Sequence, residues 1–252
     1  MQKVSLLVTT YNAAGNLPAT FQSIEEQDYG NLEIIIVDGG STDGTVDLIR
    51  NFAASHKDKD GRMAVQWISE PDRGLYDAMN KAFHRSSGDI IAVCNDRLCR
   101  PDAVSKLVNA IETAGPGCVG AHSDLVYEQD GQVIRSWHMG EGTLREGWMP
   151  GHPTLFLKRC IYEKYGEYDI SYRCAADYEF MVRFLKEEKN RLAYVPEVLV
   201  SMFYGGTSNA GLSNYLLSFR EGCRALRKNK VKHWLYITVR RTFRVLLQFR
   251  QK

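Results

Sequence analysis

A chain of 252 residues can bury one large α/β core or two small ones. Its 44% hydrophobic and 25% charged residues are ordinary for a globular protein, and the absence of any apolar run of about 18 residues speaks against a spanning helix. The net charge of +2 hides an asymmetry: residues 220–252 carry eleven Lys/Arg against one acid, Glu221, so that this segment is +10 and the body is −8.

The opening run Val4–Thr9 is apolar and rich in β-branched residues, as a buried strand is, and it follows no basic start or cleavage site of a secretory signal. Leu17, Phe21 and Ile24 recur at helical spacing within Asn16–Glu26. Glu33–Val37 reads as a second buried strand, ended by Asp38-Gly39-Gly40. Ser41-Thr42-Asp43-Gly44 then supplies caps for a helix carrying Val46, Ile49 and Phe52. Ala64–Ser69 and Asp89–Val93 complete a set of four strands, with a helix over Leu75–Phe83 and another begun by Pro101. Four strand–helix units in succession predict a mostly parallel central sheet with helices on both faces.

Beyond residue 115 the pattern becomes mixed. Val119–Val126 and Gln132–Trp137 flank Glu128-Gln129-Asp130-Gly131, a hairpin turn. Thr154–Leu157 and Leu192–Pro196 read as strands and Asp177–Lys186 as a helix. The expected organisation is one α/β domain over residues 1–205, with a nucleotide-binding half (about 1–115) and an acceptor half (about 116–205), followed by a basic helical tail over 206–252. The six cysteines show no metal-type spacing and read as small buried hydrophobes of a reducing compartment.

In an open parallel sheet, ligands bind beyond the carboxyl ends of the strands. Here the first strand ends in Thr9, Thr10, Tyr11 and Asn12, and the second in Asp38. The third ends in Glu70 and Asp72, the fourth in Asn95 and Asp96. Carboxylates gathered along one rim repel unless a cation or hydrogen-bond donors satisfy them. Glycine signatures for dinucleotides or P-loop phosphates are missing, as are a zinc motif and a serine-hydrolase elbow. A nucleotide bound without a glycine cradle has its diphosphate neutralised in another way, and a hard divalent ion held by one carboxylate and phosphate oxygens does this.

Three pieces carry a specific resemblance: Val8-Thr9-Thr10-Tyr11-Asn12, the run Ile36 to Thr45, and the run Ser69 to Ala82. Gly88-Asp89, Gly151-His152-Pro153 and Ala175-Ala176-Asp177-Tyr178 continue the series. Together, over residues 4–200, they resemble glycosyltransferase family 2, inverting enzymes of the GT-A fold. The resemblance implies a nucleoside-diphosphate sugar donor held by Thr9, Thr10, Tyr11, Asn12, Asp38, Glu70, Asp72, Gly74, Asp77, Asn80, Lys81, Asn95 and Arg97. Asp38 would accept from the base, and Asp72 and Asp77 would lie over base and ribose. It places Mn²⁺ or Mg²⁺ on Asp96 with His152 nearby, and gives Asp177 the part of general base. Asp177 is also suited to the first turn of a helix, where an acid stabilises the dipole. One departure stands out: the family usually has two adjacent acids after the fourth strand, whereas Arg97 follows Asp96 here, free to contact diphosphate or to face solvent.

From Val231 onward, Val231, Leu235, Val239, Phe243, Leu246 and Phe249 share one helical face beside Arg240, Arg241 and Arg244. Such a helix suits an anionic membrane surface and a lipid-linked glycan acceptor, with the enzyme peripheral to the inner face of the cell membrane. A packing helix with a solvated basic face is the alternative. No base-reading module accompanies the charge, so nucleic acid is not an expected partner. Two other functions compete: a sugar nucleotidyltransferase, which would release pyrophosphate, and an inactive nucleotide-binding module.

Overall fold

A computed structural model describes residues 1–56, 61–203 and 211–248, with side chains placed for 216–244 of the last segment. Four parallel strands form one side of the sheet: β1 (Val4–Thr10), β2 (Leu32–Asp38), β3 (Met63–Ser69) and β4 (Ile90–Val93). They lie in the order β3-β2-β1-β4, so the chain reverses direction of growth between β3 and β4. Residues of β1 and β2 alternate between two buried layers. Leu6, Val8, Ile34 and Ile36 face one core with α1 (Leu17–Glu25), α2 (Thr45–Ser55) and α4 (Ala103–Thr113). Leu7, Ile35 and Val37 face the other, with α3 (Leu75–Arg85), α5 (Arg159–Tyr165) and α6 (Ala176–Leu185). Burial on both faces is why these strands read as continuous apolar runs instead of alternating ones.

The mixed half extends the sheet through β8 (Phe156–Lys158), antiparallel to β4, then β6 (Cys118–Gln129), β9 (Arg191–Phe203) and the two-residue β5 (Arg97–Leu98). The hairpin partner β7 (Gln132–Trp137) joins β6 across Asp130-Gly131, both with positive φ (52° and 77°), as a type I′ turn requires. β9 runs well past Pro196, where the sequence pattern predicts an end. The register jumps from Ser123↔Val195 to Asp124↔Val198, so the proline, which has no N–H to donate, sits in an irregularity and the ladder resumes beyond it. That continuation returns the chain to the ligand edge, with Ser201 opposite Arg97 and Phe203 beside Asp96. Helix α5 and strand β5 are too short for periodicity to reveal.

The C-terminal segment forms α7 (Gly211–Lys228) and α8 (Trp234–Gln248). α7 packs on α6, and α8 packs on α7 and on the 3₁₀ turn Leu144–Glu146. Ala225, Leu226 and Ile237 are buried in the same core as α6. The expected boundary near residue 205 lies outside the described residues. Among the described residues no helix is long and apolar enough to cross a membrane, and the six cysteines are free; Cys94 and Cys118 are buried as expected, whereas Cys99, Cys174 and Cys223 are half-buried and Cys160 is exposed.

The sheet edge away from the ligand side is tied by Glu33. Its carboxylate accepts from Lys3 Nζ (2.7 Å), Ser5 Oγ (2.5 Å), Ser87 N (2.6 Å) and Ser87 Oγ (2.7 Å), joining β1, β2 and the turn before β4. Burial raises the Glu33 pKa, but these donors outweigh it and bring it from 4.5 down to about 2. A depressed carboxylate stabilises the fold above its unfolded pKa, and this contribution disappears as pH falls from about 4.5 towards 2. Glu33→Gln should therefore lower the free energy of urea unfolding by about 2 kcal/mol at pH 7. The gap to wild type should narrow as the pH is taken below 4.5.

Candidate active site

The carboxyl ends of β1, β2 and β3 meet around Asp38, whose side chain has 0% exposure. One oxygen accepts from Thr10 Oγ1 (3.0 Å) and Ser41 Oγ (2.5 Å). The other accepts from Gly40 N (3.0 Å), Ser41 N (2.9 Å) and Ser69 Oγ (2.7 Å). Burial by itself would raise its pKa; the hydroxyls of Ser41, Ser69 and Thr10 and the Ser41 amide hold it below the ordinary value. With five donors already on it, Asp38 shapes the loop and offers no open oxygen to a base.

The loop after β1 is laced to the loop after β2. Asn12, with φ of 48°, donates its N–H to Ser41 Oγ (2.8 Å) and accepts from Thr42 N (3.0 Å). Asp43 accepts from Ala14 N (3.0 Å) and from Thr45 Oγ1 (2.6 Å). Tyr11 is left standing at the rim, 67% exposed. A Cβ on Gly39 would lie 2.5 Å from Asp72 Oδ2 and 3.4 Å from Tyr11 Cδ2, so a larger residue here would push the Asp72 carboxylate out of the gap it shares with the ring. An exposed aromatic face beside a carboxylate suits a nucleobase, which stacks on one and donates to the other.

Asp72 also accepts from Gly74 N (2.8 Å), which opens α3. Asp77, in the first turn, accepts from Arg73 N (3.0 Å) and Arg73 Nη2 (3.0 Å). Burial pushes Asp77 up, and the Arg73 and Lys81 charges and hydrogen bonds bring it below its usual value. Lys81 bridges Glu70 (2.9 Å), Asp77 (3.8 Å) and the Pro71 carbonyl (3.0 Å). These charges thus form one alternating cluster at the rim.

Three expected donor ligands are engaged elsewhere. Asn80 donates to Tyr168 O (2.9 Å) and accepts from Tyr168 N (3.0 Å), so its amide holds the acceptor-side loop to α3. Asn95 pairs with Thr9 in both directions, accepting from its N–H (2.7 Å) and donating to its hydroxyl (2.8 Å). Arg97 pairs with Glu128, which also accepts from Ser201 Oγ (2.7 Å). Because Arg97 lies on β5 beside β9, its guanidinium reaches Glu128 at the end of β6 while staying partly open to solvent.

Asp96 is different: the hydrogen bond its carboxylate shows is a long one from Phe203 N (3.3 Å). Burial without compensating donors raises it to about 6. A poorly satisfied, desolvated carboxylate at a ligand edge is a fit for a divalent cation, which supplies the missing charge. Among the described residues no three His, Cys, Asp or Glu side chains gather to enclose one, so its remaining ligands would come from water and bound phosphate. His152, in a 3₁₀ turn, has its Nε2 hydrogen-bonded to Tyr168 Oη (2.8 Å). Burial lowers its pKa against the opposing pull of Asp177, keeping the ring neutral with Nδ1 as its remaining ligand atom.

Asp177 lies in the first turn of α6, half-buried, and accepts from Tyr178 N (2.7 Å) and from Tyr76 Oη (3.2 Å). Burial, then the Asp177 charge, push Tyr76 far above its ordinary value, so its phenol stays a proton donor to Asp177 at any working pH. Tyr168 further links His152 to Tyr162, whose hydroxyl is 3.0 Å away. Sequence reasoning assigns no part to Tyr76, Tyr168 or Ser69. Tyr76 and Ser69 both lie within the run Ser69 to Ala82, the signal available for them; Tyr168 is joined to the site by tertiary contacts alone.

A mixed, mostly parallel sheet with helices on both faces and acids along its carboxyl edge is the arrangement of the GT-A fold. The chain belongs to glycosyl transferase family 2, whose model matches residues 5–192, and it is a glycosyltransferase. It is 31% identical over 215 residues to a PGL/p-HBAD biosynthesis glycosyltransferase of Mycobacterium tuberculosis, covering 81% of this chain and 78% of that one. Its fold is similar to that of S. aureus TarS 1-349 in complex with UDP-GlcNAc (TM-score 0.69, 15% identity, 95% of this chain and 71% of that one). It is also similar to the mannosyltransferase PcManGT from Pyrobaculum calidifontis in complex with GDP-Man and Mn²⁺ (TM-score 0.64, 19% identity, 100% and 76%). The family assignment decides against the nucleotidyltransferase alternative.

Tyr76→Phe removes the hydroxyl that touches Asp177 while leaving the ring in the core. Release of nucleoside diphosphate from a nucleotide sugar should slow about ten-fold, from the loss of one hydrogen bond to a charged group. Nucleotide affinity by calorimetry should stay within two-fold of wild type.

Proposed function

We propose that this protein transfers a single hexosyl or N-acetylhexosaminyl unit, with inversion, from a nucleoside-diphosphate sugar to a hydroxyl of a lipid-linked glycan. UDP is the first candidate among the nucleotides. The observation that carries this reading is Asp177, a carboxylate fixed by Tyr76 and its own helix on the acceptor side of the sheet edge. The TarS and PcManGT structures, with UDP-GlcNAc and with GDP-Man and Mn²⁺, support a nucleotide-sugar donor and a divalent ion.

In this reading the base of the donor lies between Tyr11 and Asp72, on the loop that Asp38 shapes. Thr9, Thr10, Asn12, Glu70, Gly74, Asp77 and Lys81 form the rim around the nucleoside and diphosphate. Asp96, with Nδ1 of His152 as a second ligand, would hold Mn²⁺ or Mg²⁺. When bound, such an ion neutralises charge that develops on the leaving diphosphate. Asp177 takes the proton of the acceptor hydroxyl as its oxygen attacks the anomeric carbon. The new C–O bond forms opposite the old one, and the nucleoside diphosphate leaves with the electron pair. One displacement gives inversion.

The membrane reading gains support from α8. Leu235 (60% exposed), Tyr236, Val239 and Phe243 (63% exposed) form an outward apolar face, with Arg240 and Arg244 alongside. Ile237 turns inward, as does Arg241, which lies 3.8 Å from the Tyr178 ring centroid. The helix thus packs on the protein through one face and presents the other, as a peripheral enzyme at an anionic, cytoplasmic membrane surface requires. Phe249 lies outside the described residues, and the Leu246 side chain is likewise undescribed.

Titration calorimetry with UDP, dTDP and GDP, with and without Mn²⁺, tests the donor site. One nucleotide should bind tightly in a metal-dependent way, and Asp96→Ala should weaken it at least ten-fold. Asp177→Asn should keep this binding and lose turnover by 100-fold or more; unchanged turnover would remove the proposed base, and no turnover in wild type with any nucleotide sugar would favour the inactive module. For the membrane, Leu235→Glu/Phe243→Glu should abolish co-flotation with phosphatidylglycerol liposomes without changing nucleotide affinity. Equal flotation of variant and wild type would refute the surface.

A further inference from the structure

Between α5 and α6 the chain crosses residues 166–175 without regular structure before it reaches Asp177. Near its start this loop is held at the backbone of Tyr168 by Asn80, as described, and its outer side lies against α7. Lys228 Nζ donates to Asp169 Oδ2 (2.8 Å). Arg224 donates to the Ser171 carbonyl (3.2 Å) and hydroxyl (2.7 Å), and its guanidinium lies 4.3 Å from the centroid of the buried Tyr172 ring. The last three residues before α6 point their N–H groups at one side chain. Glu221 accepts from Arg173 N (2.9 Å) through one oxygen, and from Cys174 N (2.8 Å) and Ala175 N (3.0 Å) through the other. Glu221 is only 7% exposed, and it is the sole acid of the otherwise basic segment from residue 220 onward.

The local sequence explains why the acid is needed. The residue at the cap of α6 is Ala175, preceded by Cys174 and followed by Ala176, and the helix has no side-chain cap of its own. Consecutive N–H groups ahead of a helix form an anion-binding concavity with partial positive charge, costly to bury unless satisfied. Ser, Thr or Asp at the cap would satisfy it locally; here a carboxylate from a helix 46 residues away in sequence does so. The Asp177 backbone is then set two residues beyond the last of these bonds.

We propose that Glu221 is a positioning residue for the transfer reaction: by clamping the amides of residues 173–175 it fixes the start of α6, and with it the Asp177 carboxylate. This rests on the reading of Asp177 as general base. A base must sit within hydrogen-bond reach of the acceptor hydroxyl, and a displacement of about 1 Å costs on the order of 100-fold in rate. The α7 helix is on this account a working part of the catalytic site, acting from outside it.

The test compares full-length wild type, Glu221→Gln, Glu221→Ala, Asp177→Asn and the double variant Asp177→Asn/Glu221→Ala. The probes are release of nucleoside diphosphate from a panel of UDP-, dTDP- and GDP-sugars, binding of the matching nucleotide with Mn²⁺, and amide hydrogen exchange of the peptide spanning 171–178. Glu221→Ala should lower kcat 10- to 100-fold while nucleotide Kd and donor KM stay within two-fold. Glu221→Gln, which keeps acceptor oxygen but not charge, should fall between it and wild type. Exchange at 173–175 should quicken in the same order. In the Asp177→Asn background the Glu221→Ala change should cause no further loss, since the group it positions is already gone.

Wild-type kcat in Glu221→Ala, or an equal further loss when it is added to Asp177→Asn, overturns the proposal. A fall in nucleotide affinity matching the fall in kcat also overturns it, because that marks general unfolding. If Asp177→Asn itself turns over at the wild-type rate, the general-base reading fails, and the positioning of a base by Glu221 fails with it. Quickened exchange with normal kcat sinks only the catalytic link and leaves the base reading intact.

Discussion

A buried carboxylate that must be compensated governs the ligand edge of this protein. Asp38 ends the second strand with no access to water, where an unpaired charge would be too costly to keep. Its five donors come from the ends of β1 and β3 and from the loop after β2, so the cost of burying it is offset only when those segments stand in one arrangement. That arrangement sets Gly39 against Asp72 and leaves Tyr11 upright at the rim. The pocket geometry is thus a by-product of satisfying one charge.

The same economy separates the residues that hold the site from those left open to a ligand. Asn80 and Asn95 each form reciprocal pairs that join neighbouring segments, and Arg97 is neutralised by Glu128. Side chains saturated in this way act as framework. Asp96, with one long hydrogen bond and a pKa raised by burial, is the opposite case. Among the described residues its charged form has that one long hydrogen bond for a partner, and an incoming cation has most to offer there. Tyr11 is open in the apolar sense, a large ring kept in water.

The C-terminal helices show that a basic segment need not be an appendage. Arg224 and Lys228 hydrogen-bond from the surface to the loop before Asp177, and Arg241 lies on Tyr178, which follows Asp177. Only part of the +10 charge is therefore available to an outside partner. The helical spacing of Leu235, Val239 and Phe243 correctly marks an apolar face, yet that face points outward while Ile237 and Ala225 meet the core. Periodicity identifies a face but carries no information about which neighbour covers it.

What the amino-acid sequence determined by itself is the local grammar: strands as β-branched apolar runs, the hairpin turn within Glu128–Gly131, the acids after the second, third and fourth strands, and motif spacings specific enough to show the family. These are legible because they depend on neighbours within a few residues. The tertiary structure alone decided which of those polar residues pair with one another. Strand β9 passing Pro196, Arg97 meeting Glu128, and Tyr76 reaching Asp177 across 101 positions all rest on long-range contacts. So does Glu221, which reads in the sequence as a stray acid in a basic stretch. Hydrogen-bond partnership is a property of distance in space, and a single sequence records distance only along the chain.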